Sequence, residues 1–229
     1  MYDALILCGG LGTRFQSVST SKPKSLASIN GKPIIEILTD QLVKQGISKI
    51  ILCVGHLAKQ VIEYYENKKD ADYIFSIENT PLGTGGAIFN AFDKIKSDYF
   101  FVLNGDSFCD IEFSKFLNFH KDRNSFLSLV GAQINDASDY GVLSIDNENR
   151  ILKFEEKSKS GKAVINAGIY LLPKNIFSVQ YDLKPLSLEK ELFPTLIHRE
   201  KCYTYVVETD VFDIGTKERY EKAQDLIKI

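Results

Sequence analysis

The sequence has no strong excess of charge and no long apolar segment. Its 28 basic and 30 acidic side chains leave a formal net charge of -2, which favours neither nucleic acid nor an acidic membrane as partner. No apolar run approaches the roughly 20 residues that a membrane-spanning helix needs, and the N-terminus lacks the pattern of a signal peptide. We therefore expect a cytoplasmic protein that binds neither a membrane nor nucleic acid.

Tryptophan is absent, and cysteine and histidine are scarce and scattered. The three histidines do not cluster, and no CxxC pair occurs among Cys8, Cys53, Cys109 and Cys202. This spacing argues against a zinc site built from cysteine and histidine. It predicts instead that the cysteines are buried, reduced thiols, as in a reducing compartment.

What the sequence does contain is a regular alternation of apolar and amphipathic segments. We predict strands at 4–7, 49–54, 73–77 and 99–103, separated by helices at 33–46, 56–67 and 85–94. This order is typical of parallel strand–helix–strand units. Further strands are predicted at 126–133, 142–145, 151–155 and 164–172, with helices at 187–197 and 217–226. The pattern favours an α/β fold whose parallel sheet is extended by antiparallel strands.

A glycine-rich loop follows the first predicted strand. Gly9, Gly10 and Gly12 allow a close approach to the backbone, and the charges of Arg14 and Lys24 suit a phosphate. The loop lacks the Gly-Lys-Ser/Thr of a P-loop. Phe15 stands where the dinucleotide fingerprint needs its third glycine, which leaves an NAD-type site only as an alternative beside a plain glycine-rich turn.

A second glycine loop, from residue 78 to residue 87, follows the strand predicted at 73–77. Gly83, Gly85 and Gly86 would let a planar base lie close to the backbone. The carboxylate of Glu78 can accept hydrogen bonds from two adjacent donors, such as N1–H and the N2 amine of guanine. A solvated loop glutamate is the alternative interpretation.

Two aspartates occupy similar positions after apolar runs. Asp106 ends the sequence LNGD and Asp213 lies in VFDIGT, each beside a glycine. Carboxylates at strand ends suit a hard cation such as Mg²⁺, although aspartates beside glycine are also common in turns. Sequence spacing does not show whether the two side chains meet.

Several motifs in one order resemble the sugar-1-phosphate nucleotidylyltransferases over nearly the whole chain. They are GGLGTR with a later KPK, PLGTGGA, LNGD, YGV, FEEK, NAGIY and DIGT. The resemblance implies a Rossmann-like three-layer α/β/α fold with a mixed, mainly parallel sheet. It also implies one domain over residues 1–229, with a nucleotide-binding half at 1–110 and a sugar-phosphate-binding half at 111–229.

The resemblance assigns roles to individual residues, which we take as predictions. Catalysis would involve Arg14, Lys24 and Asp106, and Mg²⁺ would be held by Asp106 and Asp213. The nucleotide would contact Leu7, Cys8, Gly9, Gly10, Gly12, Thr13, Glu78, Gly83, Thr84, Gly85 and Asn104. The sugar phosphate would contact Gly141, Glu156, Lys157, Asn166 and Gly168.

Within that family, the short members that act on GTP and D-glycero-α-D-manno-heptose 1-phosphate resemble the chain most closely. The guanylyltransferases for mannose 1-phosphate are the near alternative. Two other classes stay open, a regulatory homologue that binds nucleotide without catalysis and a glycosyltransferase. The Asp-x-Asp motif expected of the latter is replaced here by Asn104-Gly105-Asp106. The sequence also leaves a homo-oligomer open.

Overall fold

The structure is a computed structural model that describes residues 2–12, 15, 21–135, 137, 140–155, 161–177 and 185–227. Its strands are β1 (Asp3–Leu7), β2 (Ser28–Ile29), β3 (Lys32–Pro33), β4 (Lys49–Val54), β5 (Asp72–Ile77), β6 (Tyr99–Asn104), β7 (Ser107–Cys109), β8 (Leu127–Ile134), β9 (Val142–Ile145), β10 (Ile151–Glu155), β11 (Ala163–Pro173), β12 (Cys202–Val207) and β13 (Val211–Asp213). The α-helices are α1 (Ile34–Lys44), α2 (Ala58–Tyr65), α3 (Gly83–Asn90), α4 (Phe113–Asp122), α5 (Phe193–Ile197) and α6 (Lys217–Leu226).

Nine of these strands form one mixed sheet. Its main path runs β10-β9-β11-β6-β1-β4-β5, and β8 joins β12 to β11. Strands β6, β1, β4 and β5 are mutually parallel, whereas β11 runs antiparallel to β6 and β8. Because β6 and β11 come from different halves of the chain, the two predicted halves share this sheet. The small pairs β7–β13 and β2–β3 lie outside it.

The side chains of β1 explain why the sheet is covered on both faces. Ala4 and Ile6 pack into a core with residues of α1, α2 and α4, and Leu5 packs into a second core with residues of α3 and α5. All three side chains are fully buried. A strand buried on both faces needs no polar alternation. The predicted α/β/α layers are therefore confirmed.

The structure contains elements that the sequence pattern did not predict. Helix α4 was missed although Phe113, Phe116 and His120 recur at helical spacing and are buried. The helix predicted at 187–197 is a π-helical turn over Leu188–Leu192 followed by the short α5. Strands β9 and β10 and helix α6 have the predicted bounds. Strands β9 and β10 form the predicted hairpin, whose turn holds Asn149 at a φ of 65°.

All four cysteines are buried free thiols, as predicted. None of the helices in the described part of the chain is long and apolar enough to cross a membrane.

Candidate functional site

A cavity of about 480 Å³ opens where three parallel strands end. Its walls come from the residues that follow β1 and β5 and from Asn104 to Asp106 at the end of β6. Ligands in open α/β sheets bind beyond the carboxyl ends of the strands, because the loops there converge. The cavity is thus the candidate active site.

The first glycine loop forms one wall of this cavity. The lining includes Leu7, Cys8, Gly9, Gly10 and Gly12. Burial raises the pKa of the Cys8 thiol well above its ordinary value, so this group stays protonated and is a poor nucleophile. Thr13 and Arg14 lie outside the described residues, and their roles stay predictions.

Glu78 projects from the end of β5 against the first loop. Its Oε2 accepts a hydrogen bond from the backbone N–H of Leu82 at 3.1 Å. Its Oε1 lies only 2.9 Å from the position that a Cβ on Gly9 would occupy, so a side chain there would collide with the carboxylate. Half-burial raises the pKa of Glu78, and the Leu82 hydrogen bond only partly offsets this. The cavity lining therefore includes a partly desolvated carboxylate, one oxygen of which already accepts a hydrogen bond from the backbone.

The second glycine loop packs closely on the backbone around Leu186. Gly83 has a φ of +71°, and a Cβ on it would lie 2.6 Å from the Leu186 carbonyl oxygen. Gly83 and Thr84 line the cavity, whereas Gly85 is not among the lining residues. A Cβ on Gly85 would lie 2.9 Å from the side chain of Leu186. Close packing against Leu186 therefore explains why this position holds glycine, and the predicted contact of Gly85 with the nucleotide stays a prediction.

Lys24 and Asp106 form an ion pair beside the cavity, and both are among its lining residues. The Lys24 Nζ lies 2.5 Å from Asp106 Oδ2. The Asp106 side chain is 44% exposed, which leaves its carboxylate accessible to a ligand. A lysine in this position can donate to an incoming phosphate as well as to the aspartate.

The β7–β13 pair brings Asp213 close to this ion pair. The backbone N–H of Ile214 donates to the Asp106 carbonyl at 2.9 Å. A Cβ on Gly215 would lie 2.6 Å from Asp213 Oδ1 and 3.8 Å from Lys24 Nζ. The two aspartates and Lys24 therefore converge. Lys24 and Asp106 line the cavity, whereas Asp213 is not among the lining residues and its neighbour Gly215 is.

Asp213 also has a cationic partner. Its Oδ2 is bound by Arg219 Nη1, and its Oδ1 accepts a hydrogen bond from the Gly215 N–H at 2.5 Å. The Arg219 guanidinium lies over the ring of Tyr140, 4.4 Å from its centroid.

In the described ranges, no group of three or more His, Cys, Asp or Glu side chains is arranged to hold a metal ion.

The residues predicted to hold the sugar phosphate lie apart from the lining of this cavity. Gly141, Asn166 and Gly168 are not among the lining residues, and Glu156 and Lys157 fall outside the described part of the chain. Gly168 nevertheless abuts the site, because a Cβ on it would lie 2.8 Å from Asn104 Nδ2. Asn104 itself lines the cavity.

Sequence reasoning missed Ser25 as a candidate site residue. Ser25 lines the cavity, is 3% exposed and has no hydrogen-bond partner for its hydroxyl among the described residues. A buried hydroxyl without a partner is costly unless a ligand satisfies it. Its position directly after Lys24 was the available signal.

Comparison with curated proteins shows relatives that match more than nine-tenths of the chain. A D-glycero-α-D-manno-heptose 1-phosphate guanylyltransferase of Campylobacter jejuni is 38% identical over 95% of this chain and 96% of its own length. A protein of the same name from Aneurinibacillus thermoaerophilus is 33% identical over 97% of this chain and 96% of its own length. A mannose-1-phosphate guanyltransferase of Yarrowia lipolytica is 36% identical over 92% of this chain but only 60% of its own length.

Solved structures and a family model agree with this likeness. The crystal structure of HddC from Yersinia pseudotuberculosis is 37% identical, covers 100% of both chains and superposes with a TM-score of 0.90. HddC has also been solved in complex with GMP-PN, and that structure superposes with a TM-score of 0.89. The model of the family described as "Nucleotidyl transferase" matches residues 3–228. The chain therefore belongs to the nucleotidyl transferase family.

Proposed function

We propose that the protein is a guanylyltransferase that joins GTP and D-glycero-α-D-manno-heptose 1-phosphate to give GDP-heptose and pyrophosphate. The observation that carries this proposal is the match to two relatives of that name over at least 95% of this chain and 96% of theirs. The position of Glu78 supports a guanine nucleotide, because its carboxylate faces the cavity with acceptor capacity for two donors.

The reaction needs positioning and charge neutralisation rather than a covalent enzyme intermediate. A phosphate oxygen of the sugar 1-phosphate forms a bond to the α-phosphorus of GTP, while the bond from that phosphorus to the bridging oxygen of the β-phosphate breaks. Pyrophosphate leaves with the bonding electrons. The Lys24 ammonium group would donate hydrogen bonds to the phosphates, either in place of its bond to Asp106 or in addition to it. Lys24 and Arg14 would together stabilise the negative charge on the phosphates.

Mg²⁺ is the metal that this function implies, and the donor set fits it. Asp106, directly before β7, and Asp213, at the end of the neighbouring strand β13, offer carboxylate oxygens, which are the ligands that a hard cation prefers. Asp106 would be the first ligand because its carboxylate is the more exposed of the two. When bound, Mg²⁺ would neutralise part of the charge of the triphosphate and orient it.

A matrix of substrates tests the proposal. The purified protein is mixed with each of GTP, ATP, UTP and dTTP and with heptose, mannose or glucose 1-phosphate in the presence of Mg²⁺, and pyrophosphate release is measured. We expect the highest kcat/KM for GTP with the heptose phosphate. A control without sugar phosphate separates transfer from simple hydrolysis.

Other outcomes point to specific alternatives. Highest activity with mannose 1-phosphate would support the second candidate, which the 36% identity to the Yarrowia lipolytica enzyme favours. Nucleotide binding without pyrophosphate in a single turnover would indicate a regulatory homologue. Release of GDP from a finished nucleotide sugar would indicate a glycosyltransferase. Either of the last two results would overturn the proposed function.

A further inference from the structure

Glu189 lies between the second glycine loop and strand β11 and is not among the residues that line the cavity. It occupies the π-helical turn Leu188–Leu192, an element that occurs often at functional sites because it interrupts regular helix geometry. Its carboxylate accepts three hydroxyl hydrogen bonds, from Thr84, Tyr170 and Ser187. A carboxylate with this many donors is held in one position.

On the nucleotide side, Glu189 holds the loop that lines the cavity. Thr84 Oγ1 donates to Glu189 Oε2 at 3.0 Å and accepts a hydrogen bond from the Leu188 N–H at 2.8 Å. The hydroxyl of Thr84 therefore uses its donor and one of its acceptor sites in bonds to the π-helical turn. The backbone N–H of Gly85 also donates to Leu186 at 2.8 Å, so the loop and the turn are joined at several points.

On the other side, Glu189 reaches β11 through a buried tyrosine. Tyr170 is fully buried, and its hydroxyl donates to Glu189 Oε1 at 3.0 Å. Burial, with a further contribution from the Glu189 charge, raises the pKa of Tyr170 well above its ordinary value, so the hydroxyl keeps its proton. The same hydroxyl accepts a hydrogen bond from Asn166 Nδ2 at 2.9 Å.

The network continues to the irregular segment of β11. Asn166 Oδ1 accepts from the Gly168 N–H at 3.0 Å, where the pairing of β11 with β8 shifts register. Gly168 packs against Asn104 on the cavity wall. An unbroken chain of hydrogen bonds thus runs from Thr84 through Glu189 and Tyr170 to the segment predicted to hold the sugar phosphate.

We propose that Glu189 is a positioning residue that couples the nucleotide site to the sugar-phosphate site through Thr84 and Tyr170. A nucleotide that contacts Gly83 and Thr84 would restrain this loop further, and the hydrogen bonds extend that restraint through Glu189 and Tyr170 to β11. The sugar phosphate then binds a segment that loses less conformational entropy than it would without the nucleotide, which gives positive cooperativity. This inference rests on the proposed function, because it assumes that both substrates bind.

The experiment measures this coupling directly by calorimetry. The probes are heptose 1-phosphate and a GTP analogue with a methylene group between the α- and β-phosphates, which cannot release pyrophosphate. For the wild type we expect the analogue to tighten sugar-phosphate binding by about fivefold or more, and the sugar phosphate to tighten analogue binding by the same factor. In Tyr170→Phe, Thr84→Val and Glu189→Gln the factor should fall below about twofold, within the range where coupling is negligible.

A matched control removes an equivalent buried hydroxyl elsewhere. Tyr65 is also buried and shares a 3.0 Å hydrogen bond with Thr39, and neither residue lines the cavity. Tyr65→Phe should keep the wild-type coupling factor. The double variant Thr84→Val/Tyr170→Phe should lose no more coupling than either single variant, because one broken link already interrupts the network.

The results separate this inference from the proposed function. Wild-type protein that forms pyrophosphate from GTP and heptose 1-phosphate but shows no coupling would overturn the inference alone, as would an unchanged factor in Tyr170→Phe. If neither probe binds the wild type, the proposed function and the coupling both fail.

Discussion

Glu78 shows how one side chain connects burial with selectivity. One of its oxygens accepts a hydrogen bond from the backbone N–H of Leu82, and the other lies against Gly9. Because burial disfavours the charged form and raises the pKa, the carboxylate gains from any ligand that supplies donors. Guanine supplies two adjacent donors, whereas uracil and thymine supply one donor between two acceptors.

Substitution of Glu78 by glutamine should weaken the preference for GTP. The amide replaces one acceptor oxygen with a donor, which would face a guanine donor. We expect the ratio of kcat/KM for GTP to that for UTP or dTTP to fall by about 10- to 100-fold, which corresponds to the roughly 1–3 kcal/mol cost of one buried polar group left unpaired. Glu63→Gln, on the exposed face of α2, is the control and should leave the ratio unchanged. An equal ratio of kcat/KM for GTP to that for UTP or dTTP in both variants would show that backbone groups, and not Glu78, select the base.

At the scale of elements, the start of α3 is fixed by its contact with the segment around Leu186. The N–H groups of Gly85 and Gly86 both donate to the Leu186 carbonyl, and the Leu186 N–H donates back to Leu82 at 2.8 Å. These bonds satisfy donors at the helix N-terminus that have no partner within the helix. They leave no space for a side chain at Gly83, where a Cβ would meet the Leu186 carbonyl oxygen.

Two glycine-to-alanine variants separate backbone strain from this close packing. Gly83 and Gly46 both have positive φ, at +71° and +80°, but a Cβ on Gly46 would meet nothing within 4 Å. Gly46→Ala should lower the free energy of unfolding by about 1 kcal/mol through strain alone. Gly83→Ala should lower it by a further 1–3 kcal/mol, roughly the cost of overpacking. Urea unfolding measures both, and equal losses would contradict a packing role for Gly83.

For the whole molecule, a buried histidine links stability to pH. His120 on α4 is 3% exposed, contacts the Tyr99 ring and forms a 2.9 Å hydrogen bond through Nδ1 with the Ser128 hydroxyl. Burial, with a smaller effect of Lys121, lowers the pKa of His120 to about 4. The unfolded chain binds this proton near pH 6.5, the ordinary value, so acid favours unfolding.

The contribution of His120 to stability should therefore be complete above pH 6.5 and decrease as the pH falls towards 4. Between pH 7 and pH 5 we expect a loss of about 2 kcal/mol in the free energy of unfolding from this group. His120→Asn, which keeps a polar atom near the position of Nδ1, should be less stable at pH 7 but should lose less on acidification. His198→Asn, at an exposed site, is the control. Parallel pH profiles for wild type and His120→Asn in urea titrations would contradict this role.

Local patterns in the sequence were sufficient for the architecture and the family. Apolar runs separated by amphipathic segments predict parallel strands and helices, because periodicity reports which faces are buried. The motifs GGLGTR, PLGTGGA, LNGD and DIGT likewise led to the family that the comparisons show. Helix α4 was missed although its periodicity was present, so that error lay in the interpretation and not in the signal.

Contacts between distant segments, in contrast, follow from the packed structure alone. The approach of Asp213 to Lys24 and Asp106 depends on the β7–β13 pairing, which joins residues about a hundred positions apart. The contact of Leu186 with Gly83 and the bonds of Glu189 to Thr84 and Tyr170 similarly require the sheet and its covering helices to be in place. No local periodicity encodes such pairs, because their geometry is set by how the layers pack.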